Sequence, residues 1–349
     1  MSVMQSTLPP QATSGKPSPL SFFQTIQAYQ RSFILKTGVE LDVFTAIAKG
    51  SQTAPEIAKA CSASERGVRI LCDCLTVMGH LTKEDSRYLL TQDSAVFLDS
   101  SSPAYMGRAL SFLLDPEQVR HMQNLTQTVR KGHPAEDPYS MKPDDRMWVE
   151  FARGMAPFMV PAAQRIAQLL RPALEGKPAP KVLDIAAGHG VFGVTVGETC
   201  HTARIYALDW PKVLEVARET AVAHGVSSRY HLLPGSAFDV DWGSGYEAVL
   251  LPNFLHHFDE QTCTALLKKA NQALNSGGQV AILEFVPDDD RVSPPIPAMF
   301  SMTMLSTTPS GNAYTFPQFK EMCRKAGFSE PKLTQMEESP ESLLIARKP

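Results

Sequence analysis

Hydrophobic positions in the first third of the chain repeat at helical spacing. Between residues 20 and 48 this repeat predicts two helices. A cap residue followed by a proline at Thr53–Pro55 predicts a third helix, and a fourth runs from Ser64 to about Met78. The segment Leu81–Thr91 has the pattern of a short hairpin. Two helices followed by a hairpin predict a winged-helix unit, which we place over residues 19–102.

The chain stays mostly helical beyond this unit, and we expect linking helices over residues 103–176. Loop residues interrupt the helical pattern between Gly132 and Asp145. Four apolar side chains fall close to one helical face, namely Phe151, Met155, Phe158 and Met159. Such a stripe forms either ordinary core or the lining of an apolar pocket, and the pattern leaves both open.

Strand and helix patterns alternate after the boundary at Gly176–Pro180. Short apolar runs predict five strands, at Val182–Ile185, Ile205–Leu208, His231–Leu233, Ala248–Leu251 and Val280–Phe285. Their alternation with helices predicts a doubly wound, mostly parallel α/β sheet over residues 177–349. Two more strands, Lys332–Met336 and Ser342–Arg347, are joined too closely for a parallel crossover. The predicted fold is therefore a seven-stranded sheet with a reversed terminal hairpin.

A glycine turn after the first of these strands predicts a nucleotide cofactor. Gly188 and Gly190 let the backbone approach a ligand at the start of the following helix. Asp209 lies nineteen residues after Gly190, at the end of the second strand. Its carboxylate can accept hydrogen bonds from both hydroxyls of a ribose.

Composition narrows the range of partners. The chain has 33 Lys and Arg against 36 Asp and Glu, so we expect no nucleic-acid partner. The six cysteines lack metal-ligand spacing, which indicates reduced thiols in a cytoplasmic protein without a metal site. Residues 1–18 lack signal-peptide features and are expected to form a disordered tail. No apolar stretch has the length of a membrane helix, so we expect no membrane partner.

Two motifs resemble those of the class I S-adenosylmethionine-dependent O-methyltransferase family, which includes plant caffeate and flavonoid enzymes and bacterial secondary-metabolite methyltransferases. The family sequence Asp-x-Gly-Gly-Gly-x-Gly is similar to Asp184–Gly190, with Ala186 and Ala187 replacing two glycines. The family sequence Asp-Leu-Pro-x-Val is similar to Asp209–Val213. The resemblance covers nearly everything after residue 20. It implies S-adenosylmethionine as cofactor and a homodimer through the N-terminal domain.

The resemblance also implies a set of cofactor-binding residues. The stretch Gly235–Phe238 is similar to a family segment that borders the adenine, with Ser236 in place of an acid. The implied set is Asp184, Ala186, Gly188, Gly190, Asp209, Trp210, Gly235, Ser236, Ala237, Phe238 and Asn253.

A histidine after the fourth strand marks the catalytic segment of the family, and His256 occupies that position. His256 is implied to be the general base, and Glu284 matches one of two acids that orient it. The second acid is expected at residues 313–315, where the sequence is Ala-Tyr-Thr. The implied acceptor pocket contains Phe151, Met155, Phe158, Met159, His257 and Met302.

The expected function is methylation of a hydroxyl on a small aromatic or polyketide-like acceptor. The acid missing from residues 313–315 also leaves open a C- or N-methyltransferase of the same fold. A winged-helix regulator that senses the cofactor is an alternative of another class, and it would require a basic recognition face. A nicotinamide-dependent oxidoreductase is disfavoured by the reversed terminal hairpin.

Overall fold

The computed structural model describes residues 17–135, 146–337 and 339–349. The chain divides into two compact units, of which the first ends at Leu114 and the second begins at Asp115. Residues 1–16 of the expected tail lie outside the described residues, as do residues 136–145 of the expected loop.

The first unit is helical with one small hairpin. Thr53 and Glu56 form a capping box at the start of its third helix, and Ser64 Oγ accepts from Gly67 N at 3.1 Å at the start of the fourth. Its elements are α1 (Leu20–Glu40), α2 (Val43–Ala48), α3 (Ala54–Ala60), α4 (Glu65–Val77), β1 (Leu81–Glu84), β2 (Arg87–Leu90), α5 (Gln92–Phe97) and α6 (Ala109–Leu113). Strands β1 and β2 pair antiparallel, which completes a winged-helix arrangement.

The second unit begins with helices and continues as alternating strands and helices. Its leading elements are α7 (Pro116–Gln123), α8 (Leu125–Lys131), α9 (Arg146–Leu174), β3 (Lys181–Ile185), α10 (Val191–Thr199), β4 (Arg204–Asp209), α11 (Pro211–Ala223) and β5 (Tyr230–Pro234). They are followed by β6 (Tyr246–Pro252), α12 (Glu260–Ala273), β7 (Leu274–Glu284), α13 (Pro295–Thr307), α14 (Phe316–Lys325), β8 (Lys332–Gln335) and β9 (Ser342–Arg347).

Seven strands of this unit form one sheet in the order β5-β4-β3-β6-β7-β9-β8. Neighbouring strands from β5 to β7 pair parallel, whereas β9 is antiparallel to both β7 and β8. The predicted doubly wound sheet with a reversed terminal hairpin is therefore confirmed. Strand order reverses between β3 and β6, and in open α/β sheets such a point opens a crevice at the carboxyl edge.

Apolar side chains fill both faces of the sheet. Helices α9, α10 and α11 share one buried cluster, which includes Ile166 and Leu170 of α9 together with Val182 and Leu283 of the sheet. Helices α12 and α14 share the other cluster with Leu183 and Ile282. Helix α9 thus packs within the second unit, whereas the sequence predicts a separate linking segment over residues 103–176. That segment remains a prediction.

Candidate active site

The glycine turn follows β3, and a buried carboxylate lies beneath it. Asp184 Oδ2 accepts from Gly193 N at 3.0 Å, and Asp184 Oδ1 has no hydrogen-bond partner within the described part of the chain. Burial raises the pKa of Asp184 to about 8, although the Gly193 N–H opposes that rise. A buried carboxyl oxygen without a partner is free to accept or share a proton within the site.

The turn itself adopts a left-handed backbone. Ala186, Gly188 and Gly190 have φ values of 53°, 56° and 74°. A Cβ on Gly188 would meet nothing nearer than Ala186 O at 3.8 Å, so the space above Gly188 is open to a ligand. A Cβ on Gly190 would lie 2.8 Å from the Tyr230 hydroxyl, so only glycine fits there. Ala186 replaces the first glycine of the family motif and still adopts the left-handed backbone of the turn.

The Asp209 carboxylate joins the ends of β3 and β4. Its Oδ2 accepts from Gly188 N at 2.8 Å, and its Oδ1 accepts from Trp210 N at 2.7 Å. Burial raises the pKa of Asp209 to about 6, and the two N–H groups oppose this rise. Each carboxylate oxygen keeps a second acceptor position, so the group can still bind two ribose hydroxyls. These residues fit an adenosyl cofactor.

The segment implied to border the adenine lies next to Asp209. Gly235 has a φ of 138° and donates its N–H to Asp209 O at 2.9 Å. Ser236 Oγ accepts from Phe238 N at 3.1 Å, and the Ala237 carbonyl accepts from Trp242 Nε1 at 3.0 Å. The Phe238 ring is 46% exposed, so it offers an apolar face at the surface of this segment.

His256 and Glu284 form a buried pair after β6 and at the end of β7. His256 Nδ1 lies 2.5 Å from Glu284 Oε2. Glu284 Oε1 accepts from the backbone N–H groups of Phe254, Leu255 and His256 at 3.0, 2.7 and 3.2 Å. The carboxylate assigns the proton to Nδ1, which leaves the Nε2 lone pair to act as a base.

The loop that resembles the family's acid-bearing stretch holds the histidine segment by its backbone. Asn312 N donates to His256 O at 2.9 Å, and the Tyr314 hydroxyl donates to Phe258 O at 2.5 Å. A Cβ on Gly311 would lie 2.2 Å from His256 O. This loop therefore fixes the position of His256, and its residues 313–315 contribute no acid.

Aromatic rings cover the imidazole. The Phe300 ring lies 4.9 Å from that of His256 and stacks on Phe285 at 4.0 Å. The His257 ring is 4.4 Å from His256 and 5.6 Å from Trp148. Burial, together with the neighbouring His256, holds the pKa of His257 well below its usual range, so His257 is neutral. None of the described residues forms a hydrogen bond with its Nδ1.

The side chains expected to line an acceptor pocket lie in different surroundings. Met159 is buried, and its Sδ accepts from Asn253 Nδ2 at 3.4 Å. Met155 and Phe158 are half-buried against the same core, and Phe151 lies edge-on to Trp148. Met302 is 41% exposed.

Two residues near His256 were not among the candidate site residues predicted from the sequence. Phe300, rather than Met302, is the α13 residue in ring contact with the imidazole. Glu341 is 2% exposed and precedes Ser342, which pairs with Glu284 across β9 and β7. A glutamate directly before an apolar strand was the available signal for the second of these.

The described residues contain no cluster of His, Cys, Asp and Glu that could hold a metal ion. None of the helices in the described part of the chain has the length and apolar character needed to cross a membrane. A cavity of about 540 Å³ lies beside the loop at residues 308–312 and the start of α12, and the His256 side chain does not line it.

Comparison with known proteins identifies the family. A model of the O-methyltransferase domain matches residues 125–329. The chain belongs to the O-methyltransferase family. A model of the O-methyltransferase dimerisation domain matches residues 23–100. Membership confirms the predicted enzyme class, a methyltransferase that uses S-adenosylmethionine.

Individual relatives cover nearly the whole chain. A Streptomyces sahachiroi protein named 3-hydroxy-5-methyl-1-naphthoate 3-O-methyltransferase is 30% identical, over 85% of each chain. The structure of a Nostoc punctiforme protein proposed to be an O-methyltransferase is 47% identical, with a TM-score of 0.89 over 95% of this chain and 100% of that one. Human N-acetylserotonin methyltransferase, solved in complex with S-adenosylmethionine, shares the fold at 20% identity, with a TM-score of 0.78 over 97% and 99%.

Proposed function

We propose that this O-methyltransferase methylates a hydroxyl group on a small aromatic or polyketide-like acceptor. The observation that carries the proposal is the 2.5 Å contact between His256 Nδ1 and Glu284 Oε2 beneath aromatic rings. When bound, S-adenosylmethionine supplies an activated methyl group, so the protein has mainly to align the acceptor and remove its proton. The hydroxynaphthoate named for the Streptomyces relative supports an aromatic acceptor.

The glycine turn and Asp209 would hold the cofactor. The Asp209 carboxylate, which already accepts from Gly188 N, would also accept hydrogen bonds from the ribose hydroxyls, and the open space above Gly188 would admit the adenosyl group to the backbone. Asp184 lies beneath the turn with a free oxygen. The remaining residues proposed for this site are Ala186, Gly190, Trp210, Gly235, Ser236, Ala237, Phe238 and Asn253.

His256 would act as the general base through Nε2. A phenol with a pKa of about 10 is mostly protonated at neutral pH, so its oxygen gains nucleophilicity as His256 accepts the proton. Glu284 holds the productive tautomer and stabilises the imidazolium that forms. Because both side chains are buried, the charged pair interacts in a medium that screens it weakly.

Apolar side chains would hold the acceptor and exclude water. Phe300 and Phe285 cover one side of the imidazole, and neutral His257 with Trp148 covers another. Four residues of α9, Phe151, Met155, Phe158 and Met159, remain proposed pocket residues, and so does Met302 of α13. Rings and flexible thioethers suit a flat, irregular guest.

A C- or N-methyltransferase of the same fold is the second candidate. The observation that favours it is the Ala-Tyr-Thr sequence at residues 313–315, where an acid would support a base that deprotonates phenols. Carbon or nitrogen acceptors that are already nucleophilic need less help from a base. The position of a ¹³C-labelled methyl group in the product distinguishes these candidates by NMR.

The first unit would form a homodimer rather than contact DNA. Helix α1 exposes a row of large apolar side chains, Leu20, Phe22, Phe23, Ile26, Tyr29 and Phe33. Such a row is typical of an interface, and the matched dimerisation domain supports a second copy of this chain as its partner. On α4, Arg69 is paired with Asp73, which also binds Lys83, and this pairing reduces the positive charge that a phosphate backbone would need.

The six free cysteines support a reducing compartment such as the cytoplasm.

The test is transfer of a labelled methyl group from S-adenosylmethionine to naphthols and hydroxynaphthoates. We expect the label on an oxygen of at least one of these acceptors. Label on carbon or nitrogen would establish the second candidate. Failure of the folded protein to bind S-adenosylhomocysteine, measured by calorimetry, would contradict both.

A further inference from the structure

Glu341 is a buried acid beside the His256–Glu284 pair. It directly precedes β9, whose first residue, Ser342, pairs with Glu284 of β7. Glu341 therefore lies at the same edge of the sheet as Glu284. Ser339 Oγ donates to Glu341 Oε2, and the Glu341 N–H donates to Ser339 Oγ at 3.3 Å. The carboxyl group is thus held by its own turn at this edge of the sheet.

Two buried oxygens in this region, Glu341 Oε1 and Asn253 Oδ1, have no hydrogen-bond partner among the residues that the structure describes. The Asn253 side chain lies close enough to lower the pKa of Glu341, although no hydrogen bond of normal length reaches Glu341 Oε1. Two acceptor oxygens cannot satisfy each other. A protonated carboxyl group can donate to the amide oxygen, and its proton would pair both atoms.

The groups around Glu341 favour its neutral form. Burial is the main cause that raises its pKa, and the negative charge of Glu284 adds to the rise. Ser339, Asn253 and the electrostatic influence of the nearby His256 act in the opposite direction, but the net pKa of Glu341 remains raised. A neutral acid also avoids placing a second buried negative charge next to Glu284.

Asn253 controls the turn that carries the catalytic histidine. Its backbone is left-handed, with a φ of 52°, and its N–H donates to Leu283 O at 2.8 Å. This conformation directs the next three N–H groups toward Glu284 Oε1. Among the described residues, the other hydrogen-bond partner of the Asn253 side chain is a weak acceptor, the Met159 thioether.

We propose that Glu341 is a positioning residue that donates a hydrogen bond from its neutral carboxyl group to Asn253 Oδ1 and so holds the His256 turn. Glu341 acts through Asn253 and does not touch the acceptor. The proposal rests on the proposed function of His256 as a base. In this proposal the terminal hairpin supplies an acid near the His256–Glu284 pair, whereas the family resemblance implies an acid at residues 313–315.

The experiment compares Glu341→Leu with Glu341→Gln, and Glu337→Leu serves as the exposed control in the same turn. We expect Glu341→Leu to lower kcat on the hydroxynaphthoate panel by about 10- to 100-fold, because a small displacement of a base is costly. Glu341→Gln should recover most of that loss, since its amide can donate to Asn253 Oδ1. All variants should still bind S-adenosylhomocysteine, which would separate positioning from unfolding.

Two pH readouts test the neutral state. Wild-type kcat should fall on the alkaline side as Glu341 ionises, and this fall should be absent from Glu341→Gln. The second readout is NMR of the intact protein with ¹³C-labelled glutamate carboxyl groups. The Glu341 resonance is identified as the one that disappears in Glu341→Gln, and its chemical shift at pH 7 should be that of a protonated carboxyl group. The NMR readout needs no acceptor, so it decides the protonation state even if no acceptor on the panel is methylated.

Three results would overturn the proposal. The first is wild-type kcat in Glu341→Leu, and the second is an ionised Glu341 at pH 7. The third is a Glu341→Gln variant as impaired as Glu341→Leu while both bind S-adenosylhomocysteine. Failure of the proposed function itself looks different, because wild-type protein would then methylate none of the oxygens on the panel.

Discussion

Glu284 binds His256 twice, once through the side chain and once through the backbone. Its Oε2 faces His256 Nδ1 at 2.5 Å, and its Oε1 accepts from the His256 N–H at 3.2 Å. One carboxylate therefore sets both the tautomer of the imidazole and the position of the turn that carries it.

Glu284→Gln separates these two tasks. The amide oxygen can still accept the backbone N–H groups, so the fold and S-adenosylhomocysteine affinity should be retained. The amide nitrogen, however, would donate to Nδ1 and place the imidazole proton on Nε2. We expect kcat to fall about 100-fold or more, as expected when a base is in the wrong tautomer. Steady-state kinetics on the panel check this, and an unchanged kcat would remove Glu284 from the mechanism.

Asp209 should make cofactor binding sensitive to acid. Burial raises its pKa to about 6, so the carboxylate is ionised at pH 7 and becomes protonated as the pH falls through 6. Protonation removes acceptor capacity for the ribose hydroxyls, and we expect S-adenosylhomocysteine affinity to fall by up to about tenfold per pH unit below that value. Calorimetry between pH 8 and 5 measures this. A similar slope in Asp209→Asn would assign the effect to another group.

His189 should contribute to acid instability. It is 3% exposed, accepts from Val191 N at 3.1 Å, and has a pKa lowered to about 4 by burial. Between its unfolded pKa of about 6.5 and that value, the unfolded chain binds a proton that the folded chain does not, so stability falls as the pH falls. Between pH 7.5 and 5, we expect the free energy of unfolding to fall by about 2 kcal/mol less in His189→Gln than in the wild type.

Urea unfolding at both pH values measures this difference. His201→Gln is the matched control, because His201 is exposed in the same unit. Equal pH slopes in wild type and His189→Gln would contradict the assignment.

The apolar row of α1 should hold the dimer together. Phe22 and Ile26 are 61% and 48% exposed. Changing both to Glu places like charges against each other at a two-fold interface, so we expect light scattering to give the 38.2 kDa of one chain. Gln27→Glu is the control on the same helix and should remain dimeric. A wild-type mass of 38.2 kDa would exclude the dimer.

The sheet could be predicted from sequence because its parallel strands are buried on both faces and appear as apolar runs. Strand β9 matches its predicted bounds, Ser342–Arg347. Strand β7 begins at Leu274, before the predicted start at Val280. After the buried Leu274, residues 275–279 are polar or glycine and join the strand through pairing, as when Gly277 N donates to Lys348 O at 2.9 Å. The hydrophobic pattern around residue 277 carries no information about a pairing partner as distant in the chain as Lys348.

Only part of the candidate site could be predicted from the sequence. Asp209 and Glu284 are the last residues of their strands, His256 follows β6, and family motifs point to those positions. Glu341 and Phe300 come from later elements, and only the folded chain brings them to His256. Side chains that act through tertiary contact carry little local signal, because their neighbours in sequence look like an ordinary turn or helix.

The dependence of the His256→Ala defect on acceptor acidity tests the central claim most directly. We expect this variant to lose about 100-fold or more in kcat on a weakly acidic naphthol, because a general base contributes at least that much. On a nitro-substituted naphthol that is already ionised at the assay pH, the variant should approach the wild-type rate. Equal losses on both acceptors, or no loss on either, would contradict a role for His256 in removing the proton.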